Sequence, residues 1–360
     1  MTSKCSPPTD AFRDLSRIFA NRDDRVLEFE ILPPALGPIL EDDCSIGITK
    51  KYLVQAFVTA RQVFFEALKW NPSHVGNHTP IGLSEQKTEA EDVDKRLSLA
   101  SEIILLFDCE HLTACNWRKR RLSALFSSDQ KKLITAMDVE LSLMTTYLCS
   151  PLHRHTKSPT LWQHRQWVQS HLIRLKTPDS QAMQQLLQVE LSVSLRAGEL
   201  HPRNYYAFTY LRHMHRILYE YDEGGSEDWR AQLGQSIVRS TLDWCLAHPA
   251  DISGLMFLFY LLDAVPDTAL QLDIVSRVAR FALDIGWEGE SIWMFVDLVI
   301  RKFNLLESLG DSPPYPWSVL RESVKLDGLQ QGEGKTGMQW KEWLTRARSH
   351  WDQTLQNTNK

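Results

Sequence analysis

The sequence predicts an all-α protein, a solenoid of helical hairpins, and three observations carry that reading. Gly and Pro each number 16 in 360 residues, about 9% together against an average near 12%, so few residues interrupt long helices. Apolar residues recur at helical spacing through most of 91–303. Within that segment a pattern also returns every 46 or 47 residues, as expected of stacked helical units that bury each other's apolar faces.

Residues 1–48 are mixed and contain Pro33-Pro34 and Pro38, with acids at Glu28, Glu30 and Glu41-Asp42-Asp43. They read as an irregular lead with a short strand over 26–32. From 50 to 69 the apolar residues Leu53, Phe57, Ala60, Phe64 and Leu68 are spaced by 4, 3, 4 and 4, which predicts a helix with one buried face. Residues 71–90 hold Pro72, Gly76, Pro80 and Gly82 and read as a loop, as do 304–337 with Gly310, Pro313-Pro314 and Pro316. The last helix sets Trp340, Trp343, Leu344, Ala347 and Trp351 on one face. That face must dock, because three exposed Trp side chains would promote aggregation. The chain is thus expected to comprise a lead with one helix and a loop (1–90), five helical repeats (91–303), and a loop with a C-terminal helix (304–360).

The repeat is seen by aligning Leu112-Thr-Ala-Cys115, Pro159-Thr-Leu-Trp162, Tyr205-Tyr-Ala-Phe208 and Ile252-Ser-Gly-Leu255, whose fourth places lie 47, 46 and 47 residues apart. A weaker fifth copy, Glu290-Ser-Ile-Trp293, follows after 38. Each copy follows a polar corner, and each of the first four corners holds a histidine or acid, as in His201-Pro-Arg-Asn and His248-Pro-Ala-Asp.

Composition narrows the function. The formal charge of -5 removes the cationic footprint of a nucleic-acid binder. The longest uncharged apolar run, Ile252 to Leu262, has 11 residues, whereas a membrane span needs about 20, so no transmembrane segment is expected. The start of the chain has no apolar signal region. Six scattered cysteines without a CxxC read as reduced thiols of a cytoplasmic protein. The pairs His153/His155 and His213/His215 are two apart and cannot share a helix face, so no metal site is expected in this chain. The run Arg118-Lys-Arg-Arg121 reads as a solvated helix face or a contact for an acidic partner.

The corners carry a resemblance. Lys157-Ser-Pro-Thr-Leu-Trp162-Gln-His-Arg165-Gln-Trp167 and Arg203-Asn204-Tyr205-Tyr-Ala-Phe208 resemble the repeat of protein prenyltransferase alpha subunits. That repeat reads Lys/Arg-Asn-Tyr-x-x-Trp-x-x-Arg at the start of its second helix. The resemblance covers roughly 91–303 and is most specific in the second copy. Cys115 and Leu255 stand where the motif has Trp; Leu211, Leu258 and Val296 stand where it has Arg, and Arg118 and Arg165 keep the charge. Trp162 and Arg165 share a helix face, so the indole can fill the space between hairpins while the guanidinium caps carbonyls or a carboxylate.

The resemblance implies a right-handed α–α superhelix and the role of an alpha-type subunit in a heterodimeric protein prenyltransferase. Such an enzyme moves a farnesyl or geranylgeranyl group from its diphosphate to a protein cysteine. The partner is then a beta-type subunit that holds the catalytic Zn2+, and the chain alone is inactive. Lys157 takes the place of the lysine that meets the isoprenoid diphosphate, and it sits beside His153, Arg154 and His155, a cationic corner suited to phosphate. His155, Asn204 and Tyr205 are implied as diphosphate-facing or partner-facing corner residues, although Asn204 also suits a helix cap. Arg118, Trp162, Arg165, Phe208, Leu255 and Trp293 are the structural positions of the repeat. The rival reading, favoured by Pro159 in place of the motif tyrosine, is a non-catalytic helical scaffold for protein–protein interaction.

Overall fold

The computed structural model describes residues 10–69, 83–127, 129–220, 228–310, 316–322 and 340–358, and these form an all-helical repeat fold with one small sheet. The chain divides into two compact units, Met1–Asp179 and Ser180–Lys360.

The first unit contains α1 (Ala11–Ala20), β1 (Glu28–Leu32), β2 (Ile39–Asp42), β3 (Ser45–Thr49), α2 (Lys50–Leu68), α3 (Leu83–Phe107), α4 (Leu112–Ala124), α5 (Gln130–Leu148) and α6 (Pro159–Lys176). The N-terminal lead is therefore ordered rather than irregular, with a second helix and two further strands. Asp10 caps α1 by accepting from the Phe12 and Arg13 amides at 3.1 and 3.2 Å, and Leu15, Ile18 and Phe19 turn inward. The sheet has the order β1-β3-β2, with β1 parallel and β2 antiparallel to β3. Phe29, Ile46 and Ile48 point into the core at every second residue. The outer side of the chain at the start of β1 is met by one hydroxyl on α5 and one just beyond its end. The Leu27 amide donates to Thr146 Oγ1 at 3.0 Å and the Phe29 amide to Ser150 Oγ at 2.9 Å.

Two hairpins follow, α3/α4 and α5/α6, and α4 packs on α6. Residues 83–90, expected as loop, open α3 instead, because beyond Gly82 they contain no Gly or Pro and are rich in good helix formers. The remainder of that expected loop, 70–82, lies outside the described residues.

The second unit holds α7 (Ser180–Leu200), α8 (Tyr205–Glu220), α9 (Asp228–Ala247), α10 (Ile252–Ala264), α11 (Thr268–Asp284), α12 (Glu290–Lys302), α13 (Trp317–Glu322) and α14 (Trp340–Thr358). Three hairpins, α7/α8, α9/α10 and α11/α12, stack in two layers. First helices touch first helices (α7 with α9, α9 with α11) and second helices touch second helices (α8 with α10, α10 with α12). The expected loop 304–337 contains α13; its segments 311–315 and 323–339 lie outside the described residues. Helix α14 docks on α12 and buries Trp343, Leu344 and Ala347. Trp351 Nε1 donates to the Leu283 carbonyl at 2.9 Å.

The repeat register is visible atom by atom. The second helices begin at Leu112, Pro159, Tyr205, Ile252 and Glu290, so Cys115, Trp162, Phe208, Leu255 and Trp293 are each the fourth residue, and none is more than 2% exposed. Trp162 Nε1 donates to the Thr156 carbonyl and Trp293 Nε1 to the Trp287 carbonyl, both at 2.8 Å and both six residues upstream. The fifth copy thus repeats the second despite its shorter spacing. Where the motif arginine is missing, Leu211, Leu258 and Val296 are fully buried, so apolar contact replaces the ion pair. Trp244 lies against two helix backbones: a Cβ on Gly254 would sit 2.5 Å from its ring and one on Gly198 would sit 2.9 Å away.

Trp162→Ala is expected to destabilise the chain by about 3–5 kcal/mol, measured by urea unfolding. Trp162→Phe keeps most of the volume but leaves the Thr156 carbonyl without its donor, and should cost about 1–3 kcal/mol.

Candidate functional site: the corner before α6

Helix α5 ends at Leu148 and α6 starts at Pro159; between them His155–Lys157 form one 3-10 turn. The turn is tied at both ends. The Lys157 amide donates to the Arg154 carbonyl at 3.1 Å and the Ser158 amide to the His155 carbonyl at 3.0 Å. Ser158 caps α6 by accepting from the Leu161 amide at 3.1 Å, and its hydroxyl donates to the Cys109 carbonyl at 3.2 Å. Pro159 occupies the first helical position, where its missing N–H costs nothing. His153, Arg154 and Lys157 are exposed, while Thr156 is fully buried. A backbone held by these bonds therefore places the Arg154 and Lys157 side chains at the surface.

His155 does not face solvent, which corrects its reading as a diphosphate-facing residue. It is buried beside Tyr147, and its Nε2 lies 3.0 Å from the Leu105 carbonyl. Burial lowers its pKa to about 4; the ring is neutral at pH 7 and Nε2–H donates. Asn204 is corrected in the same way. It is fully buried and caps α8, its Oδ1 accepting from the Ala207 amide and its Nδ2 donating to the Ala197 carbonyl, both at 3.3 Å. His111, Ser158 and Asp251 do the same work in their own copies, so the position is a side-chain helix cap in the first four copies, whereas Gly289 stands there in the fifth and supplies none. Tyr205 is 58% exposed, its ring 4.6 Å from that of Tyr206. Lys157 lies in the first unit, Asn204 and Tyr205 in the second.

Arg203 precedes Phe208 by five residues, as Lys157 precedes Trp162. Its amide donates to Asp251 Oδ2 at 2.7 Å with φ at 60°. It borders an apolar cavity of about 600 Å³ with Met256, Trp287, Met294 and Leu298. Among the described residues no three His, Cys, Asp or Glu side chains gather as a metal site.

The motif arginines face inward. Arg118 grips Glu140 with two hydrogen bonds, Nε to Oε1 at 2.8 Å and Nη2 to Oε2 at 2.6 Å, and reaches Ser101 Oγ at 2.8 Å. His164 Nε2 lies 2.7 Å from the same Oε1. Burial alone would raise the Glu140 carboxyl, but Arg118 overrides it and holds the group well below the usual carboxylate range. Burial likewise opposes charge on His164, and hydrogen bonds to Cys115 and Glu140 outweigh it and raise its pKa. Arg165 donates to Thr145 Oγ1 at 2.8 Å and the Leu141 carbonyl at 3.1 Å, both on α5. Sequence reasoning missed Glu140. A buried motif arginine in the first copy needs an acceptor on the next hairpin, and that requirement is the signal that could have found it.

The family model for the protein prenyltransferase alpha subunit repeat matches residues 187–218, the later part of α7, its corner and α8. A curated relative, protein prenyltransferase alpha subunit repeat-containing protein 1 of Danio rerio, is 26% identical over 201 residues, 52% of this chain and 42% of the relative. The match thus spans less than half the length of that relative. Residues 187–218 are thus similar to one copy of that repeat, and the likeness to the relative is a distant one.

Arg118→Met strips Glu140 of its counter-ion and should cost about 3–5 kcal/mol, and Arg118→Met with Glu140→Leu should recover most of it; urea midpoints measure both. His155 gives a pH dependence. Its folded pKa of about 4 lies below the unfolded value, so the unfolded chain binds the proton first as pH falls. Its contribution is complete above pH 6.5 and lost progressively toward pH 4. Between pH 7 and 5 the loss is about 2 kcal/mol. His155→Gln, which keeps a donor for Leu105, should show a correspondingly smaller drop in unfolding free energy.

Proposed function

We propose that the chain is the alpha-type subunit of a heterodimeric protein prenyltransferase, which transfers a farnesyl or geranylgeranyl group to a protein cysteine. The observation that carries this is Lys157, exposed on a turn whose backbone is fixed on both sides, at the motif lysine's place in the repeat. In the transfer a thioether S–C bond forms as the C–O bond to the diphosphate breaks, and negative charge grows on the leaving group. A preorganised ammonium at Lys157 stabilises that charge as it develops, and Arg154 adds to the local potential. The Zn2+ that lowers the thiol pKa is assigned to the beta-type subunit. The five cysteines among the described residues are free thiols, three of them buried, which supports a reducing compartment such as the cytoplasm. No helix among the described residues is long and apolar enough to cross a membrane.

A second reading, a scaffold that kept the repeat and lost the chemistry, is favoured by Pro159 and by the burial of His155 and Asn204. Native purification separates the two, since a co-purifying beta-type subunit is expected for the enzyme. In the reconstituted heterodimer Lys157→Ala should slow single-turnover transfer by about 10²–10³-fold while complex formation and thermal midpoint stay unchanged. Lys157→Arg should recover part of the rate. Wild-type transfer by the alanine variant would remove Lys157 from the chemistry, and no transfer by the wild-type complex would leave the scaffold reading standing.

A further inference from the structure

The geometry points to a docking surface for an acidic amphipathic helix of a partner protein, formed by the outer face of α2 and the adjoining end of α4. The surface lies wholly within the first unit and is independent of the corner chemistry.

Helix α2 has two apolar faces. One is buried in the core through Tyr52, Leu53, Ala56, Ala60, Phe64 and Ala67. On the other, Val54, Val58, Phe65 and Leu68 remain 36%, 50%, 37% and 37% exposed. With Arg61 these positions recur at intervals of 4, 3, 4 and 3 residues. That is the a/d spacing of a seam made for a second helix, whereas apolar residues left singly on a surface show no such register. Arg61 holds the seam's centre, its guanidinium 5.7 Å from the Phe57 ring and 5.8 Å from the Phe65 ring. The seam continues onto α4. The His111 and Phe65 rings lie 6.2 Å apart. Leu112, 61% exposed, borders a surface depression of about 530 Å³ with Asn116, Lys119 and Arg120.

Charge selects the occupant. Helix α2 carries Lys50, Lys51 and Arg61 against one acid, Glu66. In the basic run of α4, Arg118 is bound to Glu140 and Arg121 to Asp94. Lys119 and Arg120 have no ion pair among the described residues. A chain of formal charge -5 thus gathers positive charge around its exposed apolar seam. The complement is a helix with its own apolar stripe and acidic flanks. An anionic membrane fits less well, because the net charge of the chain opposes it and no Trp or Tyr lies among these exposed seam residues to anchor it at a lipid interface.

The probe is a labelled 21-residue peptide with a leucine a/d seam and Glu at the flanking e and g positions, titrated against the full chain by fluorescence anisotropy. A Lys-flanked twin serves as control. The Glu peptide should bind, several-fold more weakly at 300 than at 50 mM salt, and the Lys twin should not. Val58→Ser with Phe65→Ser should weaken binding at least tenfold. Arg61→Glu with Lys119→Glu and Arg120→Glu should transfer binding to the Lys twin. All substituted side chains are at least partly exposed, and far-UV circular dichroism checks each variant; the charge-reversal variant decides if the serine variant fails to fold. Absence of binding, equal binding of both peptides, or binding unchanged by either variant would overturn the proposal. Self-association abolished by the serine variant would assign the surface to a second copy. Binding to phosphatidylserine vesicles without peptide binding would assign it to a membrane.

Discussion

Everything else in the repeat rests on one local arrangement, the residue buried at the fourth place of each second helix, beneath a side-chain cap in the first four copies. The cap satisfies amides that the helix start leaves open, and the buried side chain then fixes the depth at which that helix meets its neighbours. Where the side chain is Trp, its indole N–H also closes on the carbonyl six residues back, locking the corner to the helix it precedes. Cys115, Phe208 and Leu255 lack that indole donor; Phe208 and Leu255 hold the place by apolar volume, and Cys115 also meets His164. This division of labour explains how the motif letters can decay while the helix starts stay in register.

The same arrangement sorts the polar groups into two kinds. Arg118, Glu140 and His164 are sealed between hairpins, where a carboxylate is tolerable only because two cationic or hydrogen-bonding partners meet it. His155 and Asn204 are consumed as neutral hydrogen-bonding groups inside the chain. What remains outside is Arg154 with Lys157 on one rigid turn and the basic rim around α2 and α4. The same corner sequences thus supply both buried groups that hold the fold and cationic side chains at the surface.

That distinction also marks how far the sequence could be read. The helical class, the fourth-place burial, the docking of α14 and the helix starts near residues 112, 159, 205, 252 and 290 were legible, because periodicity reports burial directly. The lead was not. Its strands have four or five residues, too short for alternation to stand out. The prolines that suggested irregularity lie at 33, 34 and 38, between β1 and β2. At the site, the exposed Lys157 was legible from motif spacing, but the inward turn of His155 was not. Polar residues adjacent in a corner look alike until the 3-10 turn decides which points at the Leu105 carbonyl and which at water.

Native-state hydrogen exchange tests the central role of the capped fourth place most directly. The amides of Leu161, Ala207 and Gly254, each bonded to its cap side chain, should exchange with opening free energies close to that of the whole unit, unlike ordinary frayed helix ends. Exchange of these three amides at fraying rates, while mid-helix amides stay protected, would contradict it.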